Sequence, residues 1–379
     1  MKIFLKDNVY DRTKDRLRFI FDEFDEVVVW VSGGKDSTVL FNLTLEIARE
    51  KNRLPLKLAF IDQEAEWENT ISYMREMMTN PDVKPYWYQM PIKIFNATSY
   101  VNDWLLCWNP EEEEKWMRPK EEYSIVENKY GTDRFVMLFP RISNIDFGEN
   151  KKVANLAGVR AEESPGRFIG LTASVTYKGI TWGKTHKGIN NNHFTFYPLY
   201  DWSYTDIWKC IHEHSYRYNE IYDFQYRYGI KVQDMRVSNL HHETAVTSLF
   251  YMQEVEPHTH NRLINRIGGI DSATKFGFEN YFVKELPYMF KNWKGYRDYL
   301  LEKLIPETHK KHFKSIFDSH DEEFENLPNY TSVVKSHINS MMANDWTGTK
   351  LKNLHKSKSN RMTRHLLREK RKQREEDEI

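Results

Sequence analysis

One stretch near the start constrains the fold most. The apolar run Val27-Val28-Val29-Trp30-Val31 leads into Ser32-Gly33-Gly34-Lys35-Asp36-Ser37, and that leads into a helix-like pattern from Thr38 to Ala48. The order predicts a buried strand, a glycine turn and a helix N-terminus. Such a turn aims backbone N–H groups at one point, where the helix dipole favours negative charge. Lys35 adds a full positive charge, and Ser32 and Ser37 add hydroxyl donors. The expected guest is a phosphate or pyrophosphate group.

Two common phosphate loops do not fit. A Walker A loop needs G-x-x-x-x-G-K-[ST], but Val29 stands five residues before Gly34 and Asp36 follows Lys35. The G-x-G-x-x-G pattern is also missing. The neighbouring pattern is nevertheless α/β. A second strand is expected at Leu56–Ile61, ending in Asp62-Gln63-Glu64, then a helix at Glu68–Met78. Pro81 and Pro85 bracket a turn into a third strand, Tyr86–Ile92. This rhythm predicts a parallel sheet with ligands at the strand C-termini.

Residues 104–140 break the rhythm with Trp108, the run Glu111–Glu114, Trp116, Arg118 and Pro119, and read as an insertion over the sheet edge and a candidate lid. A strand at Val153–Gly158 leads into Val159-Arg160-Ala161-Glu162-Glu163-Ser164. The polar stretch Thr172–His193 reads as loop. A helix is expected to open near Ser203, with Trp202, Ile207, Trp208 and Ile211 on one face. Beyond residue 235 the pattern turns helical, at His242–Gln253, His258–Ile267, Tyr296–Leu304 and Thr331–Met342. The expected organisation is a domain over 1–235, a mostly helical domain over 236–349 and a basic tail over 350–379.

Charge is balanced overall, with 55 basic and 55 acidic residues, but unevenly placed. Residues 350–379 hold 11 Lys/Arg and 5 Asp/Glu, against 44 and 50 in the rest. The tail therefore reads as a solvated helix or as a contact for nucleic acid, an acidic partner or the acidic body. No apolar run reaches the length of a membrane span. Only Cys107 and Cys210 occur, which excludes a disulfide framework and a Cys-rich zinc site and fits the cytoplasm. The pairs His212/His214, His241/His242 and His258/His260 lack metal-ligand spacing.

Three motifs now stand in line: Ser32–Ser37, Leu156-Ala157-Gly158-Val159-Arg160-Ala161-Glu162-Glu163-Ser164, and Tyr197-Pro198-Leu199-Tyr200-Asp201-Trp202-Ser203-Tyr204-Thr205-Asp206-Ile207-Trp208. The first resembles the PP-loop of the N-type ATP pyrophosphatases. Together, over residues 25–235, they resemble the phosphoadenosine phosphosulfate (PAPS) reductase branch of that superfamily, which includes the small subunit of ATP sulfurylase. Trp116-Met117-Arg118-Pro119, Tyr218–Asp223, Met235–Ser238, Glu256-Pro257 and Arg266–Gly269 further resemble the immunoglobulin-binding regulator A (IbrA) subfamily, whose members carry an extra C-terminal domain and are often accompanied by a ParB-like protein.

The resemblance implies a parallel sheet flanked by helices, of the adenine nucleotide alpha hydrolase-like type, with an additional mostly α C-terminal region. It implies ATP or a PAPS-like adenosine nucleotide as ligand, held by Ser32, Gly33, Gly34, Lys35, Asp36 and Ser37. Asp62 would meet ribose or adenine. Gly158 and Arg160 would stand on the ligand rim, with Glu163 and Ser164 fixing the Arg160 loop. Arg160 can hold phosphate or sulfate bidentately, or form an ion pair with Glu162 or Glu163. Lys35 and Arg160 are the candidate catalytic cations. Arg118, Lys178, Lys184 and Arg236 are candidates for a second anionic group, each with a surface charge as its default. A Mg²⁺ entering with nucleotide phosphates needs few protein ligands.

The chain departs from the reductases in one respect. Their E-C-G-[IL]-H thiol motif is absent, and Cys107 and Cys210 read as small buried residues. Thiol-based reduction and Fe–S ligation by this chain are not expected. Three readings stay open: adenylyl transfer from ATP, sulfuryl transfer from PAPS, and a nucleotide-sensing regulator acting with a partner or nucleic acid.

Overall fold

The computed structural model describes residues 6–95, 104–173, 176–185, 191–237, 239–241, 246–267, 285–342, 345, 346, 348 and 351. The basic-tail expectation and the Gly268-Gly269 break lie outside them. The chain divides into two compact units, the first made by the segments up to Ile94, Trp104–Leu240 and Tyr251–Arg266, the second by the rest.

The first unit opens with α1 (Val9–Glu23), β1 (Glu26–Trp30), α2 (Lys35–Glu50), β2 (Leu56–Ile61), α3 (Glu68–Met78) and β3 (Val83–Tyr88). After β4 (Ile92–Phe95) and β5 (Trp104–Cys107) come α4 (Phe135–Phe147), β6 (Val153–Ala157), α5 (Pro165–Ala173), β7 (Thr176–Tyr177), β8 (Ile180–Thr185) and β9 (His193–Phe196). Helices α6 (Tyr204–Glu213), α7 (Ile221–Arg227), α8 (Val246–Val255) and α9 (Pro257–Arg266) follow.

Seven strands form one sheet in the order β3-β2-β1-β6-β9-β8-β7. Strands β3, β2, β1, β6 and β9 are parallel, and β8 and β7 are antiparallel additions. The β1–β6 register pairs Val28 with Asn155 and Trp30 with Ala157. Strand alternation explains the two layers. Val27, Val29 and Val31 join Leu17, Ile20, Leu40, Leu43 and Ile47 of α1 and α2 in one core. Trp30 faces the other side, against Phe139 of α4, and donates its indole N–H to Asn155 at 2.9 Å.

The chain leaves β1 for β2 and β3 on one side, and β6 and β9 lie on the other. The carboxyl ends of β1 and β6 therefore flank the switch point, where open α/β sheets bind ligands.

Three expectations need correction. The third strand starts at Val83 and ends at Tyr88, so Pro85 lies inside it. A proline is tolerated because β3 is the sheet edge, where no ladder bond is lost on the outer side. The stretch 172–193 is not all loop, since it contains β7 and β8. Lys178 and Gly179 both take positive φ, which makes the tight turn of a hairpin. The third miss is a helix in the second unit, which holds α10 (Trp293–Lys303), α11 (Glu307–Phe324) and α12 (Tyr330–Met342). The 18-residue α11 went unread because most of it is polar; its buried side chains are Phe313, Phe317, His320 and Phe324.

Phe313 and Phe317 join Leu300, Val334, Ile338 and Met341 in the core of the second unit. A buried polar chain crosses it. Arg297 pairs with Asp321 at 2.6 Å and donates to His337 Nδ1 at 3.4 Å. His337 must then carry its proton on Nε2, which donates to His320 Nδ1 at 2.8 Å. Burial, then His320 and Arg297, hold His337 far below its usual value, at about 3, against the opposing pull of Asp321. A histidine held neutral in the fold stabilises above its unfolded pKa of about 6.5 and loses that contribution as pH falls towards its folded value. We expect the second unit to lose up to about 1.4 kcal/mol of stability per pH unit below pH 6.5. Hydrogen exchange of the α12 amides between pH 7 and 5 measures this, and unchanged protection would refute it.

Candidate functional site

The turn after β1 is shaped by its surroundings as much as by its own residues. Gly33 has φ +70°, and a Cβ there would meet Thr70 Cγ2 at 2.7 Å. Gly34 caps α2 with no side-chain hydrogen bond. Its carbonyl instead accepts from Ser37 Oγ at 2.8 Å and Thr38 N–H at 2.9 Å. Asn219, fully buried, donates to the Gly33 carbonyl at 3.2 Å and to Thr70 Oγ1 at 2.8 Å. The Tyr222 hydroxyl oxygen accepts the Lys35 N–H at 3.0 Å. From the other side of the switch point, Gly158 presses on the first turn of α2. A Cβ at 158 would lie 2.9 Å from Ser37 N and 3.1 Å from Asp36 O.

Two cations share one carboxylate here. Lys35 Nζ lies 3.4 Å from Asp36 and donates to the Met235 carbonyl at 3.2 Å. Burial lowers its pKa, although Asp36 opposes the shift. Arg160 Nε also pairs with Asp36, and Nη1 reaches Glu162 at 3.3 Å. No described residue engages Arg160 Nη2. The Arg160 N–H is held by Glu163 Oε1 at 3.1 Å, while Ser164 Oγ receives the Arg167 N–H at 3.1 Å. Glu162 also takes the Tyr204 N–H at 2.9 Å, and the Ala161 N–H reaches Tyr200 O at 2.9 Å. The 197–208 motif is itself locked to α1. Arg16 grips Asp201 through two bonds of 2.7 and 2.6 Å, and the Trp202 indole donates to Thr13 at 2.9 Å. Thus Ser32–Ser37, Gly158–Ser164 and Tyr197–Trp208 meet at one end of the sheet.

Asp62 stands apart from that cluster in character. It is fully buried, with its carboxylate bonded by Trp87 at 2.8 Å, Gln89 at 2.9 Å, Arg118 at 2.6 Å and the Glu64 N–H at 2.9 Å. It offers no free oxygen to a ribose or adenine. Glu64, at φ +65°, accepts from Arg266 at 2.6 Å and from the Trp108 N–H at 2.6 Å. Such a backbone conformation costs roughly 1–3 kcal/mol unless neighbours enforce it. Of the other candidate cations, Arg118 and Lys184 are buried rather than surface charges. Lys178 is exposed and pairs with Glu23 at 2.6 Å, and Arg236 is exposed.

The family model described as the phosphoadenosine phosphosulfate reductase domain matches residues 26–274. The chain belongs to this PAPS reductase family. A second family model, a domain of unknown function (DUF3440), matches residues 229–368. An Escherichia coli (strain K12) protein described as "Uncharacterized protein YbdN" is 28% identical over 332 residues, covering 83% of this chain and 79% of that protein. The PAPS reductase of Candida auris, solved with phosphate, is 16% identical and covers 64% of this chain and 99% of that one, with a TM-score of 0.37. The FMN adenylyltransferase of Candida glabrata, solved with FMN and the ATP analogue AMPCPP, is 13% identical with a TM-score of 0.37. It covers 63% of this chain, which spans 66% of that structure's length.

Within the family match, the thiols take no part in the site. Cys107 is buried, donates to the Gln63 carbonyl at 3.1 Å, and has its pKa raised by burial. Burial pushes Cys210 up to about 12. No group of three His, Cys, Asp or Glu side chains suited to a metal occurs among the described residues. Nor is any described helix long and apolar enough to cross a membrane. In the sequence, Tyr218–Asp223 and Met235–Ser238 stand out as family marks, with Arg236 alone among them a candidate site residue. Asn219, Tyr222 and Met235 prove to be direct neighbours of the Ser32–Ser37 loop. An Asn two residues before an amide it caps (Ile221 N–H to Asn219 Oδ1, 3.1 Å) was a signal available in the sequence.

Two outcomes are expected. Gly158→Ala should push the Asp36–Ser37 peptide out of place and weaken pyrophosphate binding at least tenfold by calorimetry, with a small change in Tm. Arg118→Ala should strand the Asp62 carboxylate in the core and cost about 3–5 kcal/mol in a denaturant titration. A loss below about 1 kcal/mol would show that Trp87 and Gln89 suffice.

Proposed function

We propose that this chain is an adenosine-nucleotide enzyme acting at the α-phosphate of ATP. The observation that carries the reading is the junction of Lys35, Arg160 and the N-terminus of α2, where Gly34 offers no capping side chain, at the sheet's switch point. The terminal phosphates of ATP would lie at Ser32–Ser37. A nucleophile would attack the α-phosphorus as the bond to pyrophosphate breaks. The Lys35 ammonium and the first-turn N–H groups would take up the charge of the leaving pyrophosphate. Arg160 would hold the adenylyl group in flight through its α-phosphate oxygens. A Mg²⁺ bound with the phosphates would neutralise further charge, and Asp36 is the carboxylate nearest to them in the chain.

Buried thiols and the missing E-C-G-[IL]-H motif argue against reduction by cysteine. The family match keeps a second reading in view, in which the ligand is PAPS and Arg160 grips the transferring sulfuryl group. Incubation with ATP and candidate acceptors, sulfate among them, tests the first reading through pyrophosphate release. Lys35→Ala should lower that rate by about 10²–10³-fold, the scale of losing one charge-stabilising donor. ATP binding without pyrophosphate release under any condition would overturn adenylyl transfer. Tighter calorimetric binding of PAPS than of ATP would favour the second reading.

A further inference from the structure

We infer that Asn219 is a positioning residue that sets the peptide orientation of the phosphate loop. The inference rests on reading Ser32–Ser37 as the phosphate cradle, and goes beyond it by naming what makes the cradle. A glycine turn can present either N–H or C=O to its concave side, and a flipped peptide would turn an acceptor towards an anion. Gly33 is the residue free to flip, because glycine visits both signs of φ at little cost. Its φ is +70°, and the peptide that follows it, Gly33–Gly34, is held from behind at its carbonyl.

Asn219 does the holding with every polar group it owns. One N–H donates to the Gly33 carbonyl at 3.2 Å and the amide also donates to Thr70 Oγ1 at 2.8 Å. Its oxygen accepts the Ile221 N–H at 3.1 Å, which fixes which way the carboxamide faces. The side chain is fully buried. The Gly33 carbonyl is therefore drawn into the protein, towards α3 and α7. Three residues on, Tyr222 accepts the Lys35 N–H at 3.0 Å, so one short segment grips both sides of Gly34. The Thr70 methyl beneath Gly33 blocks any side chain there, leaving conformation as the only freedom the loop retains.

A positioning role differs from a merely structural one in what it selects. Phosphates that lie in the cradle should feel the loss of Asn219, and the nucleoside part of a ligand should not. Calorimetry of the full chain with AMP, ATP and inorganic pyrophosphate reads this directly. Asn219→Ala should weaken ATP and pyrophosphate at least tenfold and AMP by less than twofold. Thr70→Val keeps the methyl under Gly33 and removes the hydroxyl that orients the carboxamide, so it should shift the same two ligands by a smaller factor. A second measurement needs no ligand. In protein labelled with ¹⁵N-glycine, Asn219→Ala should move the Gly33 and Gly34 amide resonances while Gly179, in the β7–β8 hairpin at the sheet edge, stays in place. Equal losses for AMP and ATP, or unmoved Gly33 and Gly34 resonances, would overturn the inference. If the native chain binds no phosphate ligand yet these resonances move, the nucleotide reading fails and the loop-setting role stands.

Discussion

The close approach of β6 to the first turn of α2 is the constraint on which the site depends. Parallel strands β1 and β6 lie side by side, so the loops that leave them must pass each other at the sheet's end. Gly158 makes that passage possible, because a methyl group there would lie under 3 Å from the Ser37 nitrogen. With the two loops in contact, Arg160 reaches Asp36, and Asp36 in turn faces Lys35. Two cations and a helix N-terminus thereby gather in one place. Asp36 and Glu162 supply the counter-charge to the two cations.

Much of this was legible in the sequence, and for identifiable reasons. The apolar run at 27–31, the glycine pair and the periodic helix after them are local signals, and local signals survive into the fold. So does the Ser203 cap of α6, whose box with Asp206 closes at 3.1 and 2.7 Å. The family resemblance carried the fold class and brought Gly158 and Arg160 to the loop. Less legible was anything that depends on partners far apart in the chain. Arg118 and Lys184 carry the same charge as surface residues, and nothing beside them in sequence announces burial. Asp62 sits at a strand end, where a ligand contact is the natural expectation, but its donors come from β3 and from the segment after it. The hairpin of β7 and β8 was hidden because Gly179 reads equally well as loop punctuation or as a two-residue turn.

The segment after β2 gathers partners from distant parts of the chain. Asp62, Glu64 and Glu66 follow one another at alternate positions, and all three are buried. Asp62 is answered by Arg118 and Glu64 by Arg266. Glu66 has no such cation among the described residues, and burial, then Asp62, raises its pKa well above the usual carboxylate range. Buried ion pairs add little net stability by themselves, but breaking one is costly. Their effect here is to tie particular segments to one loop. Glu256 adds a third tie, accepting the Glu68 and Asn69 N–H groups at 2.8 and 2.9 Å and so capping the N-terminus of α3.

That last arrangement has a consequence for biosynthesis. Glu64 and Arg266 are 202 positions apart, and Asn69 and Glu256 are 187 apart. At roughly 5–20 residues per second, a ribosome needs about 10–40 seconds to deliver the arginine after the glutamate has emerged. During that interval the β2–α3 loop holds an unanswered charge and an uncapped helix. The nascent sheet therefore waits, incomplete at its ligand-binding end, until the α9 segment leaves the exit tunnel.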